Sequence, residues 1–193
     1  RLAERISRVA EGRGIEALDS PVSGGDVGAR DASLVIMVGG RQEAFDRAVP
    51  LFEQLGKSIT LLGPAGNGQR CKLVNQIAVA VGMVAWCEAL AVAKAARLDP
   101  SMVQGVIGGG AAGSWGLSNL APRALSADFQ PGFLVRHLVK DICLAQEEAD
   151  SHGVHLPGLE VARRLYEILK EAGYGEAGTQ VLFHHYDTNR GVS

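Results

Sequence analysis

Between Leu73 and Cys87 the chain runs for 15 residues without a charge, with Asn75 and Gln76 its strongly polar members. Apolar positions continue to Ala93 and fall on nearly every side of a helical wheel. The spacing predicts one long helix from about Asn67 to Leu98, stopped at Asp99-Pro100. A helix apolar almost all round is covered on most sides, either inside a core or by a second subunit. The uncharged run is too short and too polar for a bilayer span, which takes about 20 consecutive apolar residues.

The segments on either side of Gly68 differ in kind. Ahead of it, strand-like and helical stretches alternate. Arg1–Glu11 has Leu2, Ile6 and Val9 at helical spacing, and Ile15–Asp19 is strand-like. A turn-rich stretch from Pro21 to Gly28 follows, then the apolar run Ser33–Val38, closed by Gly39-Gly40. Gln42–Leu55 has helical spacing, with Pro50 placed to kink it, and Ser58–Leu62 is a third strand. After Gly68 no further strand is predicted. Helices are expected at about Ser101–Val106, Leu117–Ser126, Leu134–His152, Leu159–Ala172 and Thr179–Tyr186, separated by glycine and proline breakers. The expected architecture is the tail of an α/β domain, residues 1–63, followed by an all-α domain, residues 64–193, built around the long helix. Three strands make a poor sheet alone, and Arg1 opens in mid-helix without a Met, so a further N-terminal part is expected upstream.

Composition narrows the function classes. Of 193 residues, 47% are hydrophobic and 21% charged, which suits a globular core with a radius of gyration of roughly 16 Å. Nineteen basic and 21 acidic residues give a net charge of -2 with no basic stripe, which argues against nucleic acid as partner. No signal-peptide pattern opens the chain, and no membrane partner is expected. The three cysteines, Cys71, Cys87 and Cys143, read as reduced thiols of a cytoplasm-like compartment rather than a disulfide framework.

Three stretches could carry chemistry, and each has a plainer reading beside it. Pro21-Val22-Ser23-Gly24-Gly25 follows a strand-like segment. Its glycines can bring backbone N–H groups up to a small anion and Ser23 adds a hydroxyl, or it is an ordinary glycine turn. Gly66-Asn67-Gly68 leads into the long helix, with Lys72 and Asn75 three residues apart on one face. An ammonium beside an amide can donate a proton to a developing alkoxide while the amide orients the oxygen, or this is a helix start with a surface lysine. As a Gly-x-Gly-x-x-Gly turn it fails, because Cys71 stands where the third glycine is needed. Lys140-Asp141 lies in a predicted helix, where neighbours of opposite charge also read as a solvated face. The pairs His152/His155 and His184/His185 make poor metal sites, since adjacent histidines cannot both face one helix-borne ion; no metal is expected.

In order along the chain stand Asp19-Ser-Pro-Val-Ser-Gly-Gly25 with Gly28-Ala29, Ile36-Met-Val-Gly-Gly40, Gly63-Pro-Ala-Gly-Asn-Gly68 with Lys72 and Asn75, and Lys140-Asp141. In these motifs the sequence resembles the β-hydroxyacid dehydrogenase family, which includes 3-hydroxyisobutyrate dehydrogenase and tartronate semialdehyde reductase. The Gly109–Ser114 and Pro131-Gly132-Phe133 stretches look most like the tartronate semialdehyde reductase branch. The resemblance covers nearly the whole chain. It implies a Rossmann-type NAD(P) domain, of which residues 1–63 are the C-terminal remnant, then a helical substrate and dimerisation domain. It implies an oxidoreductase that moves a hydride between NAD or NADP and a small hydroxyacid or semialdehyde. Lys72 would be the general acid/base. Ser23, Gly24, Gly25 and Asn75 would bind substrate, Phe133 would line the cleft, and Lys140 would lie near the nicotinamide, with Gln76 and Asp141 supporting.

The sequence departs from the family twice. The Gly-x-Gly-x-x-Gly that opens family members is absent from the N-terminal part, as if roughly the first hundred residues of a dinucleotide domain were missing. Many members also place the active-site amide four residues after the lysine, where Gln76 stands here, whereas Asn75 stands at plus three. The resemblance further implies a homodimer or homotetramer. A competing expectation is a dimerising helical module, or a cofactor-deficient fragment of such an enzyme, that does no redox chemistry. A chromatin-associated role, held by some relatives, is disfavoured by the lack of a basic segment.

Overall fold

The computed structural model describes residues 2–188, which divide into two compact units between Asn75 and Gln76. The first unit holds α1 (Leu2–Glu11), β1 (Val22–Ser23), α2 (Gly25–Arg30), β2 (Leu34–Val38), α3 (Gln42–Phe52), β3 (Gly56–Leu61) and the opening turns of α4 (Asn67–Ala95). Its sheet has the order β1-β2-β3, with β1 antiparallel and β3 parallel to the central β2. The parallel pair needs a crossover, and α3 provides it.

Alternation sets the packing. Leu34, Ile36 and Val38 are buried together with Phe52, while Val35 between them is exposed. Phe45, Ala48 and Phe52 recur at three- and four-residue spacing along α3, and all belong to this cluster, with Leu18, Ile59 and Leu61 beside them. The expected strand Ile15–Asp19 is instead extended chain in which only Asp19 pairs, through an isolated antiparallel bridge to Gly39. The Asp19 N–H donates to the Gly39 carbonyl at 3.0 Å, and the Gly39 N–H donates to that of Asp19 at 2.8 Å. A segment with one paired residue builds no ladder, however strand-like its composition. The turn-rich stretch Pro21–Gly28 in turn contains the short β1 and opens the six-residue α2.

Asp19 ties this sheet to α4. Its carboxylate is 9% exposed and accepts two backbone N–H groups, Gly66 on Oδ1 at 2.5 Å and Gln69 on Oδ2 at 2.9 Å. These N–H groups flank the first turn of α4, where no intrahelical acceptor exists. An anion there also meets the positive end of the helix dipole. Contact is close enough to require glycine at Gly68, where a Cβ would stand 2.4 Å from the Met37 carbonyl oxygen and 2.7 Å from that of Asp19. Arg70 completes the junction, donating to Asn67 Oδ1 at 3.0 Å and pairing with Glu4 at 2.5 Å. The hydrogen bond from the Arg70 guanidinium holds the Glu4 carboxyl below its ordinary value.

The second unit is helical. It holds the rest of α4, then α5 (Pro100–Gly108), α6 (Trp115–Asn119), α7 (Ala121–Leu125), α8 (Val135–Ser151), α9 (Pro157–Glu171) and α10 (Leu182–Thr188). Short 3-10 turns cover Tyr174–Glu176 and Thr179–Val181. Side chains cap two starts: Asp99 accepts from the Ser101 N–H at 2.9 Å and Ser114 from the Leu117 N–H at 3.1 Å. The helix expected over Leu117–Ser126 breaks at Leu120 into α6 and α7, because Pro122 has no N–H to continue the ladder and instead sits in the first turn of α7. Tyr166 is wholly buried between helices and donates its hydroxyl proton to the Thr179 carbonyl at 3.0 Å; burial pushes that hydroxyl's pKa well up. Burial does the same to the Cys87 thiol on α4.

Within this unit α4 is covered on one face, not on most sides. Gln76, Ala80, Met83, Cys87 and Leu90 are buried at helical spacing, whereas Val79 and Val92 are 37% and 68% exposed. This chain's own core, one of the two covers expected for the helix, therefore supplies only that face. By length and composition, α4 is long and apolar enough to cross a membrane. A core helix meets the same criterion, and the most polar member of its buried face, Gln76, is hydrogen-bonded inside the protein.

Replacing Asp19 by Asn turns one acceptor toward an N–H as a donor. Asp19→Asn is expected to lower stability by about 1–3 kcal/mol, the usual cost of a lost buried charge-assisted hydrogen bond. The urea midpoint of the variant against the parent measures it.

Candidate active site

In the first unit the candidate residues lie on two segments joined through Asp19. Four residues after Asp19, Ser23 ends β1, and Gly24 and Gly25 start α2. The φ angles of Gly24 and Gly25 are 133° and 64°, backbone that side-chain-bearing residues rarely adopt, and both glycines are exposed. The Ser23 hydroxyl thus stands next to the opening N–H groups of a helix, a donor set that suits a carboxylate. The other segment begins three residues after Gln69, the second N–H donor to the Asp19 carboxylate. There Lys72 and Asn75, both half-buried, lie three residues apart in α4 and so share a side of it.

In the second unit the structure brings three further candidates into contact. Gln76, 2% exposed, donates from Nε2 to Asp141 Oδ2 at 2.7 Å. The other oxygen, Oδ1, stands 2.9 Å from Lys140 Nζ. The Asp141 side chain is 14% exposed and that of Lys140 65%. Both belong to α8, which also carries the buried Val135, Leu138, Val139 and Ile142. Gln76 is therefore committed to a carboxylate.

Phe133, half-buried, stands just before α8 with its ring 6.2 Å from that of His137. Its carbonyl accepts the Thr179 N–H at 3.0 Å. The loop before it is held by residues that sequence reasoning passed over. Gln180, 1% exposed, donates to the carbonyls of Asp128 and Gln130 at 3.0 and 3.1 Å. Arg123 pairs with Asp128 at 2.8 Å and donates to the Gln130 carbonyl at 2.7 Å. The Arg123 guanidinium, then the Gln130 N–H, hold the Asp128 carboxyl below its ordinary value. A glutamine in an otherwise apolar run, Val181-Leu182-Phe183 beside it, was the one available signal.

Two further stretches take places in the helical unit. Gly108-Gly109-Gly110-Ala111-Ala112-Gly113 fits Gly-x-Gly-x-x-Gly literally, yet it joins two helices, α5 and α6, where a dinucleotide turn joins a strand to a helix. His184 packs its ring against Phe129 and Tyr174 at 5.9 and 5.8 Å, and His152 pairs with Glu148 at 3.2 Å. Among the described residues no cluster of three His, Cys, Asp or Glu side chains could hold a metal ion.

The Lys140 ammonium, exposed beside the Asp141 carboxylate, offers N–H donors that an acceptor on a nicotinamide cofactor could meet. Among the described residues no turn from a strand into a helix carries the Gly-x-Gly-x-x-Gly pattern that cradles a diphosphate.

Comparison with known proteins bears on the family. Residues 66–186 match the family model described as the NAD-binding segment of NADP-dependent 3-hydroxyisobutyrate dehydrogenase. Residues 1–63 match that of the NAD-binding domain of 6-phosphogluconate dehydrogenase. The chain is 48% identical over 182 residues to the uncharacterized oxidoreductase YkwC of Bacillus subtilis, covering 94% of this chain and 63% of that protein. It is 42% identical over 163 residues to 2-hydroxy-3-oxopropionate reductase of Escherichia coli, covering 84% of this chain and 56% of the reductase. The fold superposes on Mycobacterium tuberculosis 3-hydroxyisobutyrate dehydrogenase, solved with L-serine, with a TM-score of 0.86 at 30% identity, covering 95% of this chain and 65% of that one. Fold and matches together define a chain of the NAD(P)-dependent dehydrogenase class. Within that class it belongs to the β-hydroxyacid dehydrogenase family. The chain spans less than two thirds of the length of these relatives.

The Arg123–Asp128 pair generates a pH dependence. A carboxyl held below its ordinary value of 3.8 adds stability that is present above that pH and lost as pH falls through the lowered folded value. Between about pH 6 and pH 2, the thermal midpoint of Asp128→Asn is expected to fall less than that of the parent, as followed by circular dichroism.

Proposed function

We propose that this chain carries the substrate-side machinery of an NAD(P)-dependent β-hydroxyacid dehydrogenase, acting on a small hydroxyacid or semialdehyde. Residues 1–63 then serve as the end of the dinucleotide domain and 64–193 as the helical substrate and oligomerisation domain. One observation carries the reading: the carboxylate of Asp19 ties the segment ending in Ser23-Gly24-Gly25 to the helix start that bears Lys72 and Asn75. Anion donors and a proton-transfer group are thus fixed on one scaffold.

The roles follow from the chemistry of each side chain. Ser23 Oγ and the N–H groups at Gly24 and Gly25 hold the substrate carboxylate. A bound NAD(P)H supplies hydride to the carbonyl carbon, and NAD(P)+ accepts it in the reverse direction. As negative charge grows on the carbonyl oxygen, Lys72 Nζ donates a proton to it; in oxidation the neutral amine takes the hydroxyl proton. The Asn75 amide orients that oxygen. In the second unit, Phe133 is assigned to the substrate and Lys140 to the nicotinamide end of the cofactor. The choice between NAD and NADP is made by residues that bind the adenosine ribose.

Lys72→Ala in the full-length enzyme is expected to lower kcat by two to four orders of magnitude, roughly the loss that follows removal of a general acid/base. A fall of less than about tenfold in steady-state turnover would remove Lys72 from the proton-transfer role. Calorimetric titration of NADH and NADPH against this chain and against the full-length protein tests the wider reading. Binding to the full-length protein alone fits a cofactor site completed elsewhere. Binding to neither would favour a non-catalytic helical module.

The uncovered side of α4 supports a homo-oligomer. Val92 is exposed on it, and Met102 and Val106 on α5 are 69% and 72% exposed. Apolar surface of that kind is covered in stable assemblies. Light scattering at micromolar concentration is expected to give a mass at least twice that of the chain, and Val92→Lys is expected to shift it toward the monomer.

A further inference from the structure

We infer that Gln76 and Asp141 form a positioning pair that sets the direction of the Lys140 ammonium. This rests on the reading of Lys140 as a cofactor-binding residue.

The geometry is specific. Neighbouring residues on a helix point about 100° apart, so Lys140 and Asp141 do not face each other by default. Asp141 turns inward and is 14% exposed, while Lys140 stays 65% exposed and reaches round to bring Nζ within 2.9 Å of Oδ1. Unrestrained, a lysine stem of four carbons samples many rotamers. Here one carboxylate oxygen holds its tip. That carboxylate is itself held, because Oδ2 accepts from Gln76 Nε2 at 2.7 Å. Gln76 is 2% exposed and belongs to α4, so it has little room to move. The result is a three-residue chain, amide to carboxylate to ammonium, running from a buried helix face to the surface.

Stability does not account for this arrangement. An ion pair with one partner so exposed contributes little to folding. A half-desolvated carboxylate and a buried glutamine amide both lose contact with water, and an apolar pair at the same places would pack as well. Holding an ammonium in one direction accounts for both. Gln76 also stands one helical turn beyond Lys72, at the plus-four position.

The test uses the full-length enzyme and four variants: Lys140→Ala, Asp141→Asn, their double, and Gln76→Leu. Cofactor affinity is read by titration of NADH and NADPH without substrate, and kcat and KM for both ligands are read separately. Asp141→Asn keeps shape and loses the charge that holds Lys140. It is expected to weaken cofactor binding about three- to thirtyfold, with the substrate KM within about twofold of the parent. The double variant is expected to bind no more weakly than Lys140→Ala, since Asp141 acts through that lysine. Gln76→Leu is expected to give a smaller loss in the same parameter. If Gln76→Leu does not fold, the Asp141 and Lys140 cycle decides alone. Losses that add in the double variant, or Asp141→Asn binding cofactor as the parent does, overturn the inference. Lys140→Ala binding cofactor as the parent does overturns the underlying reading instead.

Discussion

The carboxylate of Asp19 is the point on which the first unit depends. It is buried at the edge of a small sheet and holds two N–H groups of the turn that opens α4, Gly66 and Gln69. Without it, those donors would face a protein interior with no acceptor. Gly39 and Gly68 exist as glycines because the same oxygens and the neighbouring backbone fill the space a side chain would need. The bridge does in one residue what a longer sheet would do with a ladder: it fixes where α4 begins. Ser23 follows Asp19 closely along the chain, and Lys72 follows Gln69 as closely.

A different kind of restraint operates in the second unit. The chain there is helical, so backbone groups are satisfied locally and side chains decide how loops are held. Gln180 reaches two loop carbonyls from a buried position, and Tyr166 reaches a third. These polar contacts set the segment that leads to Phe133 and α8. Apolar packing supplies the bulk of the attraction in this unit, but it leaves segments free to slide; the amides and the phenol remove that freedom.

Much of the fold was legible in the residue pattern, and the reasons are local. Leu34, Ile36 and Val38 alternate with period two, and Phe45, Ala48 and Phe52 recur at three and four, so strand and helix followed from spacing. Pro122 carried the break between α6 and α7, but the sequence reading let one helix run through it. Ile15–Asp19 has strand-like composition and no strand beside it along its length, which a single chain segment cannot reveal. The candidate site divides in the same way. Ser23-Gly24-Gly25, Lys72 and Asn75 could be named from their order, with the family resemblance lending weight to each. The partners that hold them could not, because Asp19 lies 47 and 50 residues from the N–H groups it accepts, and Gln76 lies 65 from Asp141. Spacing reports neighbours within an element, and these contacts join elements that only the folded chain brings together.

The burial of Cys87 has a practical consequence. The chain holds three free thiols, two of them half-buried and Cys87 fully so on the packed face of α4. Its thiolate is disfavoured and its sulfur is out of a reagent's reach while the helices stay packed. The protein therefore contains an internal clock for the opening of its helical unit: the rate at which a small alkylating agent reaches this one sulfur reports how often the α4 face parts from its neighbours, in the native protein and without any introduced label.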